Sequence, residues 1–146
     1  MNYLTDTDAK KLFSAAIAAA ENTYSPYSHF PVGAAVLSAD GTIVPGTNVE
    51  NASYGLTICA ERTALGHAVS IGKTDIKAIA VFCKTNSAAP CGACRQFILE
   101  FGSDIVVIFM HGEELMQRTI GELLPFAFTK ATMDQLEEVG DQEHNL

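Results

Sequence analysis

The sequence predicts an α/β protein in which helices cover a sheet that is at least partly parallel. Two β-prone runs flank an Asp-Gly turn signal within residues 33–46, which favours a β-hairpin. Between residues 59 and 110, helical and buried-strand patterns alternate along the chain, as they do in sheets with parallel neighbours. A hydrophobic fraction of 48% beside 18% charged residues is typical of a well-packed globular core.

The first predicted element is a helix over residues 7–22, with candidate N-terminal caps in the stretch "TDT" at 5–7. Its apolar side chains recur on one face: Leu12, Phe13, Ala16, Ile17 and Ala20. A turn-rich loop, "TYSPYSHFPVG", leads into the hairpin "GAAVLSADGTIVPG". The stretch "TNVENAS" then continues as extended chain or loop.

Helices and strands alternate after the hairpin. Helices are predicted over 59–71 and 91–101, and buried strands over 76–84 and 104–110. The apolar side of the first of these helices consists of Leu65, Ala68 and Val69. Thr119 and Glu122 form a T-x-x-E capping box, which predicts a short helix at "IGELL".

Length and charge narrow the classes of function. The 146 residues fit one domain, 1–146, whose polar tail after about residue 130 is predicted to fray. A net charge of -8 and a pI of about 4.8 argue against binding of a nucleic acid polymer, because such binding rests on Lys and Arg. No basic segment precedes a long apolar run, and no run approaches the roughly 20 apolar residues of a membrane helix. The expected location is therefore cytoplasmic, where thiols stay reduced.

Three cysteines are placed to share a metal ion. Cys59 and Cys91 lie at predicted helix starts, where the helix dipole favours thiolate, the form that binds zinc. Cys94 lies one turn after Cys91, in "PCGACRQ", and so points to the same side. Two parallel strand–helix units would bring the three sulfurs to one point. Three protein ligands leave the fourth tetrahedral position open, as in catalytic zinc sites.

Two other interpretations of these cysteines are possible. The C-x-x-C pair alone could be redox-active, although a distant third cysteine at a helix start is unusual for such pairs. A closed structural zinc site would need a fourth ligand, for which the candidates are Cys83, His29, His67, His111 and His144. Cys83 lies within an apolar strand and is expected to be a small core residue, and His29 is expected at the surface.

Glu61, two residues after Cys59, adds an acid–base group to the cluster. Taken alone, it would be an ordinary acidic residue in the first turn of a helix. The combination of C-x-E with P-C-x-x-C matches the three-cysteine variant of the zinc deaminase signature, in which the Glu transfers protons and does not bind the metal.

The blocks "CAERTAL" and "PCGACRQ", together with "SPYSHFPVGAAV" and "NVENASYG", resemble the small, homotetrameric, zinc-dependent cytidine deaminases. The resemblance covers roughly residues 10–128. It implies a three-layer α/β/α fold with a five-stranded mixed sheet and one Zn²⁺ per chain. It also implies a nucleoside substrate, cytidine or 2'-deoxycytidine, which is converted to uridine or 2'-deoxyuridine in pyrimidine salvage.

The expected chemistry uses Glu61 as the proton carrier. Zinc makes a water molecule nucleophilic near neutral pH. Glu61 would take the water proton, pass it to N3 of the pyrimidine, and later protonate the departing amino group. Three thiolates make the zinc electron-rich, so Arg62 and Arg95 are expected to hydrogen-bond the sulfurs and withdraw charge. Among three-cysteine relatives, the arginine after the Glu has this role, and it corresponds to Arg62.

The resemblance also assigns substrate contacts. Asn48 and Glu50 alternate along an extended stretch and would hold the 3'-hydroxyl of the sugar. Phe30 would pack on the pyrimidine, and the backbone N–H of Ala60 would bind the base carbonyl. Three further aromatic residues are candidates: Tyr54 for lining the pocket, and Phe128 or its neighbour Phe126 for completing the pocket of another subunit.

Three alternatives to a cytidine deaminase are open at this point. Blasticidin S deaminases share C-A-E and P-C-x-x-C, although "NVEN" and Phe30 favour cytidine. A polynucleotide-editing deaminase is disfavoured by the acidic charge. A non-catalytic zinc-stabilised binding module would have a filled coordination sphere and no need for Glu61.

Overall fold

The computed structural model describes residues 3–85 and 87–135. In these residues a five-stranded sheet packs with four α-helices, one short 3-10 turn lies at Tyr54–Leu56, and a further helical stretch spans 130–135. In chain order the elements are α1 (Asp6–Ala20), β1 (Val32–Ser38), β2 (Ile43–Thr47), α2 (Ala60–Ser70), β3 (Ile76–Cys83), α3 (Gly92–Leu99), β4 (Val106–His111), β5 (Glu114–Thr119) and α4 (Ile120–Leu123).

The sheet is mixed, with the strand order β2-β1-β3-β4-β5. β1 runs antiparallel to both β2 and β3, β3 runs parallel to β4, and β5 returns antiparallel to β4. β2, β3 and β4 therefore point the same way, although β1 lies between β2 and β3. Because β2 and β3 end at the same edge of the sheet, α2 and α3 both begin near that edge.

Alternating side chains of the strands build two apolar layers. Ala35 of β1 and Ile108 of β4 face α1, where they pack with Leu12 and Ala16. On the opposite face, Val36, Ile79 and Val107 pack with residues of α2, α3 and α4, which include Leu65, Ile98 and Ile120. This arrangement confirms the predicted α/β class and gives three layers, with one helix on one face and three on the other.

The helix predictions hold in position, but two predicted apolar contacts are wrong. Ile17 of α1 is 40% exposed, and Val69 of α2 is 43% exposed. The buried stripe of α1 contains mostly alanines, which let the helix lie close to the sheet: a Cβ on Gly33 would come within 1.9 Å of the Ala16 carbonyl oxygen. A helix that approaches so closely buries a narrow stripe, and Ile17 falls outside it.

Helix caps follow the predictions. Thr5 Oγ1 accepts a hydrogen bond from the backbone N–H of Asp8 at 3.1 Å and begins α1. At α4, the side chain of Thr119 accepts from the backbone N–H of Glu122, and the side chain of Glu122 accepts from the backbone N–H of Thr119. The predicted capping box is therefore confirmed.

The C-terminal part contains two features that pattern analysis missed. β5 was not predicted, and it pairs with β4 through a turn at Gly112, whose φ of 61° favours glycine. Residues 130–135, in the tail predicted to fray, are helical. The rest of that tail, including His144, lies outside the described residues. Within the described ranges, no helix is both long and apolar enough to cross a membrane.

Candidate functional site

Three cysteine sulfurs converge where α2 and α3 begin. Cys59 is the N-cap of α2 and Cys91 is the N-cap of α3, and both have extended backbone conformations. Cys94 lies in the first turn of α3 and is fully buried. The three Sγ atoms all lie within 4.8 Å of one another. Two helix N-termini therefore direct their partial positive charge at one group of thiols.

The sulfur cluster fits a zinc ion. Zinc–sulfur bonds of about 2.3 Å in tetrahedral geometry place the sulfurs about 3.8 Å apart, a spacing compatible with this cluster. Soft thiolate ligands select zinc over calcium or magnesium. Within residues 3–85 and 87–135, no further Cys, His, Asp or Glu joins the three cysteines, so three side chains would hold the ion.

The candidates for a fourth ligand that fall within the described residues lie elsewhere. Cys83 is buried on β3, with Sγ 3.1 Å from Thr85 Oγ1. His67 places Nδ1 3.0 Å from the carbonyl oxygen of Pro45. His29 and His111 are exposed. These positions leave room for a water molecule or substrate at the fourth corner of the site.

The thiols of Cys59 and Cys94 differ in pKa. A hydrogen bond from the Cys94 thiol, helped by the Arg62 cation, lowers the pKa of Cys59 to about 5. The same hydrogen bond, together with burial, raises the pKa of Cys94. Metal binding would displace the remaining proton, because zinc binds the thiolate.

Arg62 contacts the cluster as predicted, one turn after Cys59. Its Nη2 donates to Cys59 Sγ at 3.5 Å. Its Nε is buried and has no hydrogen-bond partner in the part of the chain that the structure describes. The negative sulfurs raise the pKa of Arg62, so the guanidinium remains charged beside them. A half-buried cation against thiolates suits a metal site with excess negative charge.

Arg95 does not make the predicted contact with sulfur. Its Nε donates to the carbonyl oxygen of Pro90 at 2.8 Å, and its Nη1 donates to that of Leu123 at 2.9 Å. The reason is the helical rotation of about 100° per residue, which turns Arg95 away from Cys94 and toward α4. Arg95 therefore links the backbone just before Cys91 to the end of α4.

A cavity of about 270 Å³ opens beside the cysteines. Its lining includes Cys59, Cys91, Ala60 and Glu61, all of them at the two helix starts. Glu61 is only 5% exposed, and burial is the main reason that its pKa is raised above the ordinary value. A bound cation would oppose this shift, so burial and metal charge together would set the protonation of Glu61.

Asn48 and Glu50 lie in adjoining cavities. Asn48 lines the same cavity as the cysteines, whereas Glu50 lines a neighbouring one with Tyr27, Ser28 and Tyr54. Glu50 Oε1 accepts from the backbone N–H groups of Tyr27 and Ser28 at 3.0 and 3.1 Å. Hydrogen bonds from Ser28 lower the pKa of Glu50, which keeps it an acceptor at neutral pH.

The predicted aromatic contacts differ in their placement. Phe30 lines the cysteine cavity and is 39% exposed. Tyr54 is 75% exposed and packs edge-on against Tyr27, with ring centroids 5.8 Å apart. Phe128 lies away from this cavity, in a groove formed with Gln96 and Lys130 of the same chain. Its neighbour Phe126 projects fully into solvent.

Sequence reasoning missed several residues of the cavity. Thr57, Ser87 and Ala88 line it, and so does Cys83, which was expected only as a core residue. Their common signal is position: Thr57 lies just before α2, Ser87 and Ala88 lie between β3 and α3, and Cys83 ends β3, at the edge where the helices begin. Side chains of that edge are exposed to the cavity even when the strand itself is buried.

Comparisons with known proteins agree with this geometry. The family model described as "Cytidine and deoxycytidylate deaminase zinc-binding region" matches residues 6–110. A cytidine deaminase of Halalkalibacterium halodurans is 47% identical over 130 residues, which span 87% of this chain and 98% of the relative. The crystal structure of cytidine deaminase from Burkholderia pseudomallei superposes with a TM-score of 0.78 and 45% identity, and covers 86% of this chain and 100% of its own.

The alternative deaminase is a more distant relative. Blasticidin-S deaminase of Bacillus cereus is 32% identical over 108 residues, which span 68% of this chain and 77% of that protein. The match to a zinc-binding family therefore coincides with a cluster of three cysteines and a buried Glu at one cavity. The chain belongs to the family of zinc-dependent cytidine and deoxycytidylate deaminases.

Proposed function

We propose that this chain catalyses the hydrolytic deamination of cytidine and 2'-deoxycytidine to uridine and 2'-deoxyuridine, with release of ammonia. One observation carries the proposal: Cys59, Cys91 and Cys94 lie within 4.8 Å of one another in a cavity that buries Glu61. The named activity of the relatives at more than 40% identity supports the same reaction.

The metal-holding residues and the proton carrier are separate. Cys59, Cys91 and Cys94 would hold one Zn²⁺, which when bound supplies the Lewis acidity that makes a water molecule nucleophilic near neutral pH. Arg62 stabilises the negative charge of the sulfurs through its hydrogen bond to Cys59. Glu61 stays out of the ligand set, since it does not belong to the sulfur cluster.

Glu61 transfers the protons of the reaction. It accepts a proton from the attacking water and delivers it to N3 of the pyrimidine, which makes C4 more electrophilic. It then passes the second water proton to the amino group, and the C4–N4 bond breaks as ammonia leaves. Burial, which favours the protonated carboxyl, keeps Glu61 able both to accept and to return a proton.

The cavity offers matching contacts for a nucleoside. Ala60 is the first residue of α2, so its N–H has no partner within the helix and can donate to the base carbonyl. Phe30 supplies an apolar surface for the pyrimidine. Asn48 and Glu50 hold the sugar hydroxyl as donor and acceptor, and Tyr54 closes the outer rim of the cavity that contains Glu50.

Assembly into a homotetramer belongs to the same proposal. Phe126 and Phe128 are exposed at 106% and 56%, and aromatic side chains of this kind are enriched at subunit interfaces. We place Phe128 at the site of a neighbouring subunit. The enzyme works in the cytoplasm, where reducing conditions keep the three thiols available to zinc.

A turnover assay with matched variants tests the function. Zinc-loaded protein should deaminate cytidine and 2'-deoxycytidine, measured by the ultraviolet absorbance change, and should leave blasticidin S unchanged. Glu61→Gln should keep its zinc and lose at least about 100-fold in kcat. Turnover of blasticidin S alone would assign the alternative activity. Full activity in zinc-loaded Glu61→Gln would remove the proposed proton carrier.

A further inference from the structure

The side chain of Asn48 is held by three neighbours before any substrate arrives. Its Nδ2 donates to the carbonyl oxygen of Phe30 at 2.9 Å, and its Oδ1 accepts from the backbone N–H of Val32 at 3.1 Å. The hydroxyl of Thr23 also donates to Oδ1, with Oγ1 at 2.5 Å, and so makes the third hydrogen bond of this side chain. Because a carbonyl only accepts and a backbone N–H only donates, these partners fix which end of the amide is oxygen.

The backbone next to Thr23 is held against the segment that contains Asn48. Thr23 lies on the segment after α1, and the neighbouring residue Tyr24 pairs with Val49 in an isolated parallel bridge. The backbone N–H of Tyr24 donates to the carbonyl oxygen of Asn48 at 3.2 Å. These backbone contacts fix the chain at Thr23 next to Asn48. The short Thr23 side chain therefore holds its hydroxyl close to the Asn48 amide.

The hydrogen bonds of Asn48 leave one of its donor groups unused. The two lone pairs of Oδ1 are taken by Val32 and Thr23, and one of the two N–H groups of Nδ2 is taken by Phe30. The Thr47 hydroxyl lies 3.5 Å from Oδ1 but has a nearer acceptor, the carbonyl oxygen of Val32 at 3.0 Å. One N–H remains. Since Asn48 is only 8% exposed and lines the cysteine cavity, this remaining donor can serve only a group inside the cavity.

We propose that Thr23 is a positioning residue for substrate binding: its hydroxyl holds the Asn48 amide so that Asn48 presents a single N–H donor to a sugar hydroxyl. This inference rests on the proposed function. The hydroxyl donates its single proton to Asn48 Oδ1. Without the Thr23 hydroxyl, Oδ1 keeps one partner fewer, and the amide samples orientations that bind the sugar less well.

The test compares two substrates in three variants at Thr23. Thr23→Val removes the hydroxyl at nearly constant shape, Thr23→Ala removes it with less bulk, and Thr23→Ser keeps it. Cytidine carries the sugar hydroxyls, whereas 2',3'-dideoxycytidine lacks them. Thr74→Val, at an exposed position before β3, is the matched control for the same chemical change.

We expect Thr23→Val and Thr23→Ala to raise KM for cytidine about three- to tenfold, the worth of one hydrogen bond, with little change in kcat. KM for 2',3'-dideoxycytidine should be the same in these variants as in the parent protein. Thr23→Ser and Thr74→Val should resemble the parent with both substrates.

Equal losses with both substrates would mean that Thr23 acts only on the fold, and unchanged KM for cytidine would mean that it does not act on Asn48. Either result overturns this inference while the parent protein still deaminates cytidine. A parent protein that fails to deaminate cytidine overturns the proposed function, and the inference with it.

Discussion

Arg62 and Cys59 form a hydrogen bond across the first turn of α2, with Nη2 3.5 Å from Sγ. The N-cap sulfur of the helix thus receives both the helix dipole and a guanidinium from the same segment. Three thiolates and one Zn²⁺ would carry a net negative charge, which weakens the metal as a Lewis acid. The contact therefore places a compensating charge where the proposed chemistry needs it.

Replacing Arg62 with Gln should lower zinc affinity or kcat about 10- to 100-fold, since the neutral amide withdraws less charge from sulfur. The measurements are zinc content after dialysis against a metal buffer and kcat for cytidine. Arg118→Gln on β5 is the charge-matched control, because Arg118 donates to the backbone carbonyl of Gln117 and does not line the cysteine cavity. Unaltered zinc affinity and kcat in Arg62→Gln would contradict this role.

Zinc content should distinguish the ligands from the fourth cysteine. Cys91→Ser should lose zinc under conditions in which Cys83→Ser keeps it, because the Sγ of Cys83 faces Thr85 and lies outside the cluster. Metal analysis after gel filtration measures the ratio of zinc to chain. Loss of zinc in Cys83→Ser, with intact folding, would show that the cluster has another member.

Replacing two glycines with alanine should change the free energy of unfolding in opposite directions. A Cβ at Gly46 on β2 would lie 2.3 Å from the backbone nitrogen of Ala64, so Gly46→Ala should lower the free energy of unfolding by at least about 1–3 kcal/mol. Gly66 lies on the exposed face of α2 with no atom in the way, so Gly66→Ala should raise it by up to about 1 kcal/mol. Denaturant titration measures both. A neutral Gly46→Ala would mean that α2 and β2 are farther apart than described.

Ionised Glu122 should stabilise the folded state at neutral pH, and this contribution should be lost at acid pH. The backbone N–H of Thr119 and the hydroxyl of Tyr3 donate to Glu122 and hold its pKa below the usual range. A folded-state pKa below the unfolded value of about 4.3 adds stability above that value and loses it as pH falls through the folded pKa. The melting temperature of Glu122→Gln should therefore fall below that of the parent at neutral pH.

The same comparison should show the difference closing as pH drops below about 4. Glu21→Gln, at an exposed position just after α1, is the control and should follow the parent at every pH. A constant gap between Glu122→Gln and the parent across the pH series would assign the effect to shape and remove the role of charge.

Some features could be predicted from the sequence because they depend on local chemistry. The hairpin follows from Asp-Gly between β-prone runs, and the α4 cap follows from Thr119 and Glu122. The convergence of Cys59, Cys91 and Cys94 was predictable because each lies at or near a helix start, and strands that share a direction bring such starts together.

Other features depend on contacts between distant segments. β5 carries no alternation of apolar and polar residues strong enough to be seen, and its pairing with β4 stabilises it. Arg95 is adjacent to Cys94 in sequence, yet the helix directs its side chain to Leu123. The contact between Thr23 and Asn48 joins segments 25 residues apart, and no local pattern reveals it.

The division of the three sulfurs between two helices links metal supply to the durability of the fold. α2 provides Cys59, and α3 provides Cys91 and Cys94, so an ion among them acts as a cross-link between elements that otherwise meet mainly through the sheet. A ligand that binds only the native state shifts the folding equilibrium toward it. The free zinc concentration of the cell would thus govern how long each molecule survives as well as how fast it works.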